Sequence, residues 1–350
     1  RFNPDELSAL QHAYNLRLRD ESAFMAEYQN DPMADEAESE LLPADEIEVK
    51  INGLDRHHVP SDAEHVTAFI DIQKNVLYYS VVAWSPSYTG YVIDCGWKPV
   101  QRMVYFTLQE VRLPLAKAKP GAGMEGAIYA GLERPVDRIA GKVYTRDDGA
   151  ELSLQIILID ANWGATTDLV HQFCQHTGYR GRVMRARGRY GGAASRSFNE
   201  YRKQRGDRTG HYWRIPTIKG KRAVRHVLFD ANYWKSFIHA RFAQAVGDRG
   251  ALSLWKDKPG RHRMLAEQMH AEYRIRTEGR GRTVDEWRLR PDRPDNHLLD
   301  CLAGSAVAAS VVGCELLELT RQAKAGKKTT GTDKSTAPKR RRREAVSYLG

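Results

Sequence analysis

The sequence predicts an α/β fold with a mixed central sheet, and three features of the 350 residues support this. Val66–Asp71 is a run of apolar and β-branched residues, which is typical of a buried strand. Two more strand patterns follow at Leu77–Trp84 and Thr89–Cys95, separated by short turns, as in an antiparallel meander. Later strand patterns alternate with helical ones, which is typical of parallel pairing. We therefore expect a three-strand antiparallel meander extended by parallel strands and flanked by helices.

The segments after the meander predict the remaining elements in order. They are a helix at Met124–Leu132, a strand at Leu152–Asp160, a helix at Thr166–Thr177, a strand at Gly181–Arg187, a hairpin around Lys219-Gly220-Lys221, helices at Ala231–Val246 and His262–Arg276, a strand at Val284–Leu289 and a last helix from about Asn296 to Leu319. Three strands, a helix, a strand, a helix, a strand and later helices is the order of an RNase H-like fold.

The charge distribution predicts three segments. Residues 1–65 are acidic and predict a connecting arm, residues 66–319 are basic on balance and predict the folded domain, and residues 320–350 are basic and low in complexity, which predicts a flexible tail. The net charge of +10 favours a polyanionic partner. Because the chain begins with Arg1 rather than Met, we expect it to be a piece of a longer protein.

Several classes of protein are disfavoured by the sequence. The four cysteines are scattered without Cys-x-x-Cys pairs, so neither a disulfide framework nor a zinc site is expected. The most apolar stretch, Leu298–Leu319, carries Asp300 and Glu315, so a buried helix explains it better than a membrane span. No secretory signal pattern precedes the domain.

Three acidic residues occupy positions where a charge is costly. Asp71 and Asp160 end two apolar strands, and Asp300 lies in the first turns of the last helix. A carboxylate in such a place must be paired or bind a metal ion. Two adjacent strands would bring Asp71 and Asp160 together, and a helix packed on them can add Asp300. Hard carboxylate oxygens suit Mg²⁺ or Mn²⁺, and two such ions roughly 3.5–4 Å apart can promote phosphodiester hydrolysis.

Each of these carboxylates also has a structural interpretation. Asp71 is at a strand end next to a turn, Asp160 precedes an Asn-Trp-Gly segment suited to an Asx turn, and Asp300 is a possible ordinary helix residue.

Two nearby residues are weaker metal-ligand candidates. Asp295 competes with Asp300, but if Pro294 starts the helix Asp295 is a natural first-turn acid, so Asp300 is preferred. His297 lies three residues before Asp300 on the same helix face, where it is suited to proton transfer or to a phosphate, unless it is an exposed residue near the helix cap.

Basic residues around the strand after the second acidic motif and around the predicted hairpin are candidate contacts to a nucleic-acid backbone. They are Arg185, Arg187, Arg189, Lys219, Lys221 and Arg222. Such residues would position DNA through its phosphates without reading sequence. The alternative is a solvated, arginine-rich loop.

Four segments together resemble the nuclease domain of the large terminase subunits of lambda-like phages. They are Phe69–Gln73, Ile159–Gly164, Tyr233–Lys235 and Asn296–Cys301. The leader segment Phe24–Pro32 is similar to the one that follows the ATPase motor in that family, and the resemblance extends from about residue 20 to 320.

The resemblance implies an RNase H-like endonuclease with two Mg²⁺ or Mn²⁺ ions, which cuts concatemeric viral DNA during packaging. In that family pattern Asp71 would bridge both ions, and Asp160 and Asp300 would each hold mainly one. The implied partners are double-stranded DNA, the portal of the procapsid and the small terminase subunit, in the cytoplasm of a bacterial host. No G-x-x-x-x-G-K-[ST] loop is present, so the ATPase motor of the full-length relatives is either removed or was never attached.

Two other functions fit the same residues. A junction resolvase or transposase core would place its acidic residues alike, and a structure-selective substrate would distinguish it. A non-catalytic DNA-binding or scaffold domain is disfavoured because all three carboxylates are present.

Overall fold

The computed structural model describes residues 41–217, 225–293 and 295–316, together with residue 8 and residues 11–15 nearer the start of the chain. The chain divides into two units, Arg1–Cys314 and Glu315–Gly350. All the strands and helices named below belong to the first unit. The predicted hairpin, the candidate residues Lys219, Lys221 and Arg222, most of the predicted arm and the predicted tail lie outside the described residues. The predicted domain boundaries at 65 and 319 remain predictions.

The described residues form a nine-stranded mixed sheet and two separate two-stranded sheets. The strands are β1 (His65–Ile72), β2 (Leu77–Trp84), β3 (Gly90–Lys98), β4 (Val143–Thr145), β5 (Glu151–Ser153), β6 (Ile156–Asp160), β7 (Val183–Arg189), β8 (Arg208–Gly210), β9 (Trp213–Ile215), β10 (His226–Asp230), β11 (Leu252–Leu254), β12 (Glu272–Gly279) and β13 (Arg282–Leu289). The large sheet has the order β11-β3-β2-β1-β6-β7-β10-β9-β8.

The centre of this sheet has the RNase H-like topology that the sequence predicts. Strands β1, β2 and β3 pair antiparallel in sequence order. On the other side of β1, strands β6, β7 and β10 follow in parallel. The carboxyl ends of four neighbouring strands therefore meet at one edge, which is where parallel α/β sheets bind their ligands.

Helices cover both faces of the sheet. They are α1 (Ala44–Glu48), α2 (Leu115–Ala118), α3 (Gly123–Ala140), α4 (Thr167–His176), α5 (Ala231–Ala243), α6 (Arg263–Met269) and α7 (His297–Val312). On one face, apolar side chains of α3 and α4 form one buried cluster with those of the sheet, which includes Ile128, Leu132, Phe173, Ile70 and Leu77. Alternate side chains of the strands point to the opposite face.

Helix α7 packs on that opposite face, and its register determines what lies beside β1. The hydroxyl of Thr67 donates to the carbonyl of Ser305 (2.9 Å), and Gly304 packs against Phe69. Thr67, Phe69 and Asp71 share one face of β1 because side chains alternate along a strand. From Gly304 back to Asp300 the helix spans about 6 Å, and from Phe69 to Asp71 the strand spans about 6.6 Å. This register therefore places Asp300 beside Asp71.

Four predicted elements differ from the structure. The helix expected at Met124–Leu132 continues to Ala140. The expected strand Leu152–Asp160 is two strands, because β5 pairs with β4 in a separate small sheet and only β6 joins the main one. The expected helix His262–Arg276 ends at Met269, and β12 then forms a hairpin with β13. The last helix ends at Val312 rather than Leu319, because Gly313 has a φ of 123°, a left-handed conformation that suits glycine and stops a helix.

Strands β4, β8, β9 and β11 have three residues each and were missed from the sequence because they are short, and the five-residue β10 was missed as well. Among the described residues, no helix has the length and apolar character needed to cross a bilayer.

Candidate active site

Asp71 and Asp160 lie side by side near the carboxyl ends of β1 and β6. The parallel ladder between β1 and β6 pairs Ile70 with Ile159, and each aspartate is the next residue along its strand. Asp71 is 4% exposed, which excludes a solvated turn residue. Asp160 Oδ1 accepts from the backbone N–H of Asn162 (3.3 Å), so the Asx turn considered as an alternative is present and holds this carboxylate in place.

Asp300 completes the group. It lies in the first turn of α7, and its side chain is 32% exposed. Asp71, Asp160 and Asp300 line one cavity of about 40 Å³ at the carboxyl edge of the sheet, whose remaining lining residues are Phe69, Gly188, Phe229, Ala231, Lys235 and Ala303. The three acids that the sequence singled out are therefore brought together.

Two of the three carboxyls, those of Asp160 and Asp300, have a pKa above the usual value. Burial, and then repulsion from Asp71 and Asp300, raises the pKa of the Asp160 carboxyl above its usual value. Burial also raises the pKa of Asp300, with Glu272 and Asp71 adding to the effect and Lys235 opposing it. A site of converging carboxylates with raised pKa values gains from a cation, which favours their ionised forms.

Basic side chains engage two of these carboxylates. Lys235 Nζ lies 2.9 Å from Asp300 Oδ1, and His297 Nδ1 lies 2.8 Å from Asp71 Oδ2. Asp71 Oδ2 also accepts from Nε2 of Gln73 (3.0 Å). Among the described residues, no three acidic, histidine or cysteine side chains are already spaced to hold one metal ion.

His297 is buried, so the interpretation as an exposed residue is wrong. Its side chain is 7% exposed, and its ring stacks on Tyr78 with centroids 4.7 Å apart. Its short contact with Asp71 lacks the direction of a hydrogen bond and is an ion pair when the imidazole is protonated. Burial lowers the pKa of His297, but Asp71 and the neighbouring acids outweigh it and raise the pKa.

Asp295 has a structural contact. Its Oδ2 accepts from the backbone N–H of Leu108 (2.7 Å). Helix α7 begins at His297 with Asn296 before it, so Asp295 is not in its first turn, in contrast to the expectation. Asp295 lies outside the cavity that the three carboxylates line and remains the weaker candidate.

The predicted DNA contacts on β7 differ in exposure. Arg185 is 6% exposed, and Arg187 donates to the carbonyl of Ala161 (3.0 Å) and to the hydroxyl of Thr167 (3.3 Å). Arg185 is thus buried and half-buried Arg187 holds the turn after Asp160, while contact of either residue with DNA remains a prediction. Arg189 is exposed and remains a candidate contact.

Two residues of the site were not among the predicted site residues, although Lys235 lies in one of the four segments that carry the family resemblance. Lys235 is fully buried on α5 and contacts both Asp300 and Glu272, and Glu272 starts β12. The signal for Lys235 was available, because it is a single lysine within the apolar segment Ala231–Phe242 and such a lysine must find a counter-charge. Glu272 was missed because the sequence predicted a helix over His262–Arg276, whereas Glu272 begins a strand.

This sheet order, with acids at the carboxyl ends of adjacent parallel strands and another on a helix packed over them, defines an RNase H-like nuclease. The chain belongs to the family described as terminase large subunit gpA, endonuclease domain, which matches residues 15–322. The resemblance stated from the sequence is therefore confirmed. The family favours the terminase interpretation over a junction resolvase or a transposase core.

Comparison with solved structures gives a distant likeness. The nuclease domain of the large terminase subunit gp2 of bacterial virus Sf6 aligns with 11% identity and a TM-score of 0.38, over 70% of this chain and 89% of that one. Among curated protein sequences, none is significantly similar to this chain.

Proposed function

We propose that this chain is a two-metal endodeoxyribonuclease that cuts concatemeric viral DNA during genome packaging. One observation carries the proposal: Asp71, Asp160 and Asp300, which are far apart in the sequence, line one cavity at the carboxyl edge of the sheet. The family supports the nuclease activity, and the chemistry of the three carboxylates supports its dependence on a divalent cation.

The residues present fit such a cation. The donors are hard oxygens. Burial first, and then the neighbouring negative charges, raise the pKa of Asp160 and of Asp300, and a cation there would favour their ionised forms. Asp71, Asp160 and Asp300 would together hold the Mg²⁺ or Mn²⁺ ions. Bound there, the ions would supply Lewis-acid activation of water and stabilisation of the leaving oxygen of the phosphodiester.

The protein's own contribution is to hold the carboxylates in place. The β1–β6 ladder positions Asp71 and Asp160, the packing of Gly304 on Phe69 positions Asp300, and Arg187 ties down the turn after Asp160. Rigid elements of this kind keep a catalytic constellation within the narrow tolerance that phosphodiester cleavage requires.

The substrate and partners follow from the same proposal. Double-stranded DNA would approach the open side of the cavity, with Arg189 on its phosphates. The ATPase motor, the small terminase subunit and the portal of the procapsid are the partners we expect in the full packaging complex, in the cytoplasm of the bacterial host.

Cleavage of supercoiled plasmid tests the proposal. We expect nicking and linearisation with Mg²⁺ or Mn²⁺, none with EDTA, and loss of cutting in D71N, D160N and D300N. Asp147→Asn is the control, because Asp147 is an exposed acid that pairs with His58 and does not line the cavity, and it should retain cutting. Each variant should bind plasmid as the wild type does. Undiminished cutting by D71N, or cutting in EDTA, would refute the proposal.

A further inference from the structure

Lys235 is the most deeply buried charged side chain beside the carboxylates. It is 0% exposed, and it projects from α5 into the cavity that Asp71, Asp160 and Asp300 line. A lysine in such surroundings is stable only with counter-charges, since an unpaired buried ammonium costs several kcal/mol. The acidic side chains that pair with Lys235 therefore determine its role.

Lys235 lies between two acids of different kinds. Its Nζ is 2.5 Å from Glu272 Oε1 and 2.9 Å from Asp300 Oδ1, and it lies 3.4 Å from the hydroxyl of Tyr190. The side chain of Glu272 is 3% exposed, whereas that of Asp300 is 32% exposed. Glu272 is thus an internal anchor, and Asp300 faces the open side of the site.

Glu272 is itself held in position. Its Oε1 also accepts from Nδ2 of Asn296, the residue before α7, and its Oε2 has no hydrogen-bond partner among the described residues. The pairing of β12 with β13 fixes the backbone of Glu272. Lys235 consequently remains anchored by Glu272 even if its contact with Asp300 is broken.

We propose that Lys235, anchored by Glu272, competes with a divalent cation for Asp300 and thereby lowers the affinity of the site for that cation. Asp300 Oδ1 cannot interact at full strength with Lys235 and with a divalent cation at once. The two positive charges, a few ångströms apart, also repel each other. Glu272 acts in the opposite sense, because it holds Lys235 back from Asp300 and adds negative charge. Lys235 and Glu272 are positioning residues that act through Asp300. This inference rests on the proposed function.

Titration calorimetry with Mn²⁺ alone tests the proposal on the full chain. Lys235→Met should bind Mn²⁺ more tightly than the wild type, on the order of tenfold, because it removes a positive charge beside the ion. Glu272→Gln should bind more weakly by a similar factor, and K235M/E272Q should lie between them. Lys142→Met, which removes a lysine stacked on Tyr144 in the cluster on the other face of the sheet, should bind as the wild type does.

A second readout separates this role from a merely structural one. Mn²⁺ should raise the Tm of K235M by more than it raises that of the wild type, because tighter binding stabilises the folded state more. Loss of packing alone would lower the Tm with and without Mn²⁺ equally.

The variant K235M leaves Glu272 unpaired, which is costly. If it does not fold, the comparison of E272Q with K235M/E272Q carries the test, since these two differ in the same lysine and the double variant should bind Mn²⁺ more tightly. Equal or weaker binding on loss of Lys235 would overturn the inference, with the nuclease proposal intact. A wild-type protein that binds no Mn²⁺ would overturn the proposed function itself.

Discussion

Gly304 of α7 lies so close to Phe69 of β1 that a Cβ on the glycine would be 1.9 Å from Cδ2 of the ring. This contact sets the distance between the last helix and the central strand. Phe69 is two residues before Asp71, and Gly304 is one helical turn after Asp300. The smallest residue of the helix is therefore part of what brings the two acids together.

Substituting Gly304 with Ala should damage both the fold and the site. The added methyl overpacks the contact, which typically costs about 1–3 kcal/mol, and α7 must move away from β1. We expect a lower free energy of unfolding in urea and weaker Mn²⁺ binding, measured by calorimetry.

The matched control for this variant is Gly178→Ala, where nothing lies within 4 Å of the new Cβ. It should change neither property appreciably. Phe69→Leu should restore part of the stability of Gly304→Ala in a double-mutant cycle. Unchanged stability of Gly304→Ala would show that the packing does not constrain the helix.

The pairing of Asp71 with Asp160 could be predicted from the sequence, whereas the contribution of Asp300 was harder to justify. A carboxylate at the end of an apolar strand is visible in the residue pattern, and parallel neighbours share an edge. The position of α7 on β1 depends on the fit of Gly304 against Phe69, and no local sequence pattern predicts such a contact. Asp300 was chosen over Asp295 on helix-dipole grounds, whereas the structure separates them by the contact of Asp295 with Leu108.

The β12–β13 hairpin shows a signal that was present but outweighed. Tyr273, Ile275 and Thr277 alternate with charged residues, as in a strand. Arg280 and Gly281 both have positive φ, as a two-residue hairpin turn requires. The helical pattern just before them was extended too far, and Glu272 was lost from the candidate site for that reason.

Arg187 and Arg189 are two residues apart on β7 and should behave differently. Arg187→Ala frees the turn after Asp160, because it removes the donors to Ala161 and Thr167. Loss of such a supporting contact typically costs about 10–100-fold in activity. We expect the plasmid cleavage rate of Arg187→Ala to fall by this amount, with DNA affinity kept.

Arg189→Ala should have the converse effect. DNA affinity should weaken, and the slope of log affinity against log salt should fall by about 1. Fluorescence anisotropy over a range of salt measures both quantities. Normal cleavage by Arg187→Ala, or unchanged DNA affinity in Arg189→Ala, would contradict the roles assigned here.

Asp94 provides a pH-dependent contribution to stability away from the site. It is 2% exposed, and its carboxylate contacts Arg56 (2.9 Å to Nε), His57 (3.3 Å) and Arg138 (3.4 Å). Burial raises the pKa of Asp94, but these contacts outweigh it and hold the pKa below its usual value. The folded state thus has the lower pKa, so the stabilisation is present above the unfolded pKa of about 3.9 and is lost as the pH falls through the folded value.

Asp94→Asn should therefore destabilise the protein by about 1.5–3 kcal/mol near neutral pH, the usual contribution of hydrogen bonds to a charged group. The difference from the wild type should stay constant at higher pH and shrink below about pH 4. Urea unfolding at several pH values measures it. Asp147→Asn is the control, because its pair with His58 is 44% and 40% exposed, and such pairs contribute less than about 1 kcal/mol. An equal loss of unfolding free energy in Asp94→Asn and Asp147→Asn would contradict the larger contribution assigned to the buried contacts of Asp94.

The most direct test of the two-metal site is anomalous diffraction from crystals of the protein grown with Mn²⁺. We predict two anomalous peaks roughly 3.5–4 Å apart in the cavity between Asp71, Asp160 and Asp300, with Asp71 touching both. Crystals of the D71N variant should lose at least one peak. Ordered Mn²⁺ bound elsewhere on the protein, with none between these three carboxylates, would contradict the account.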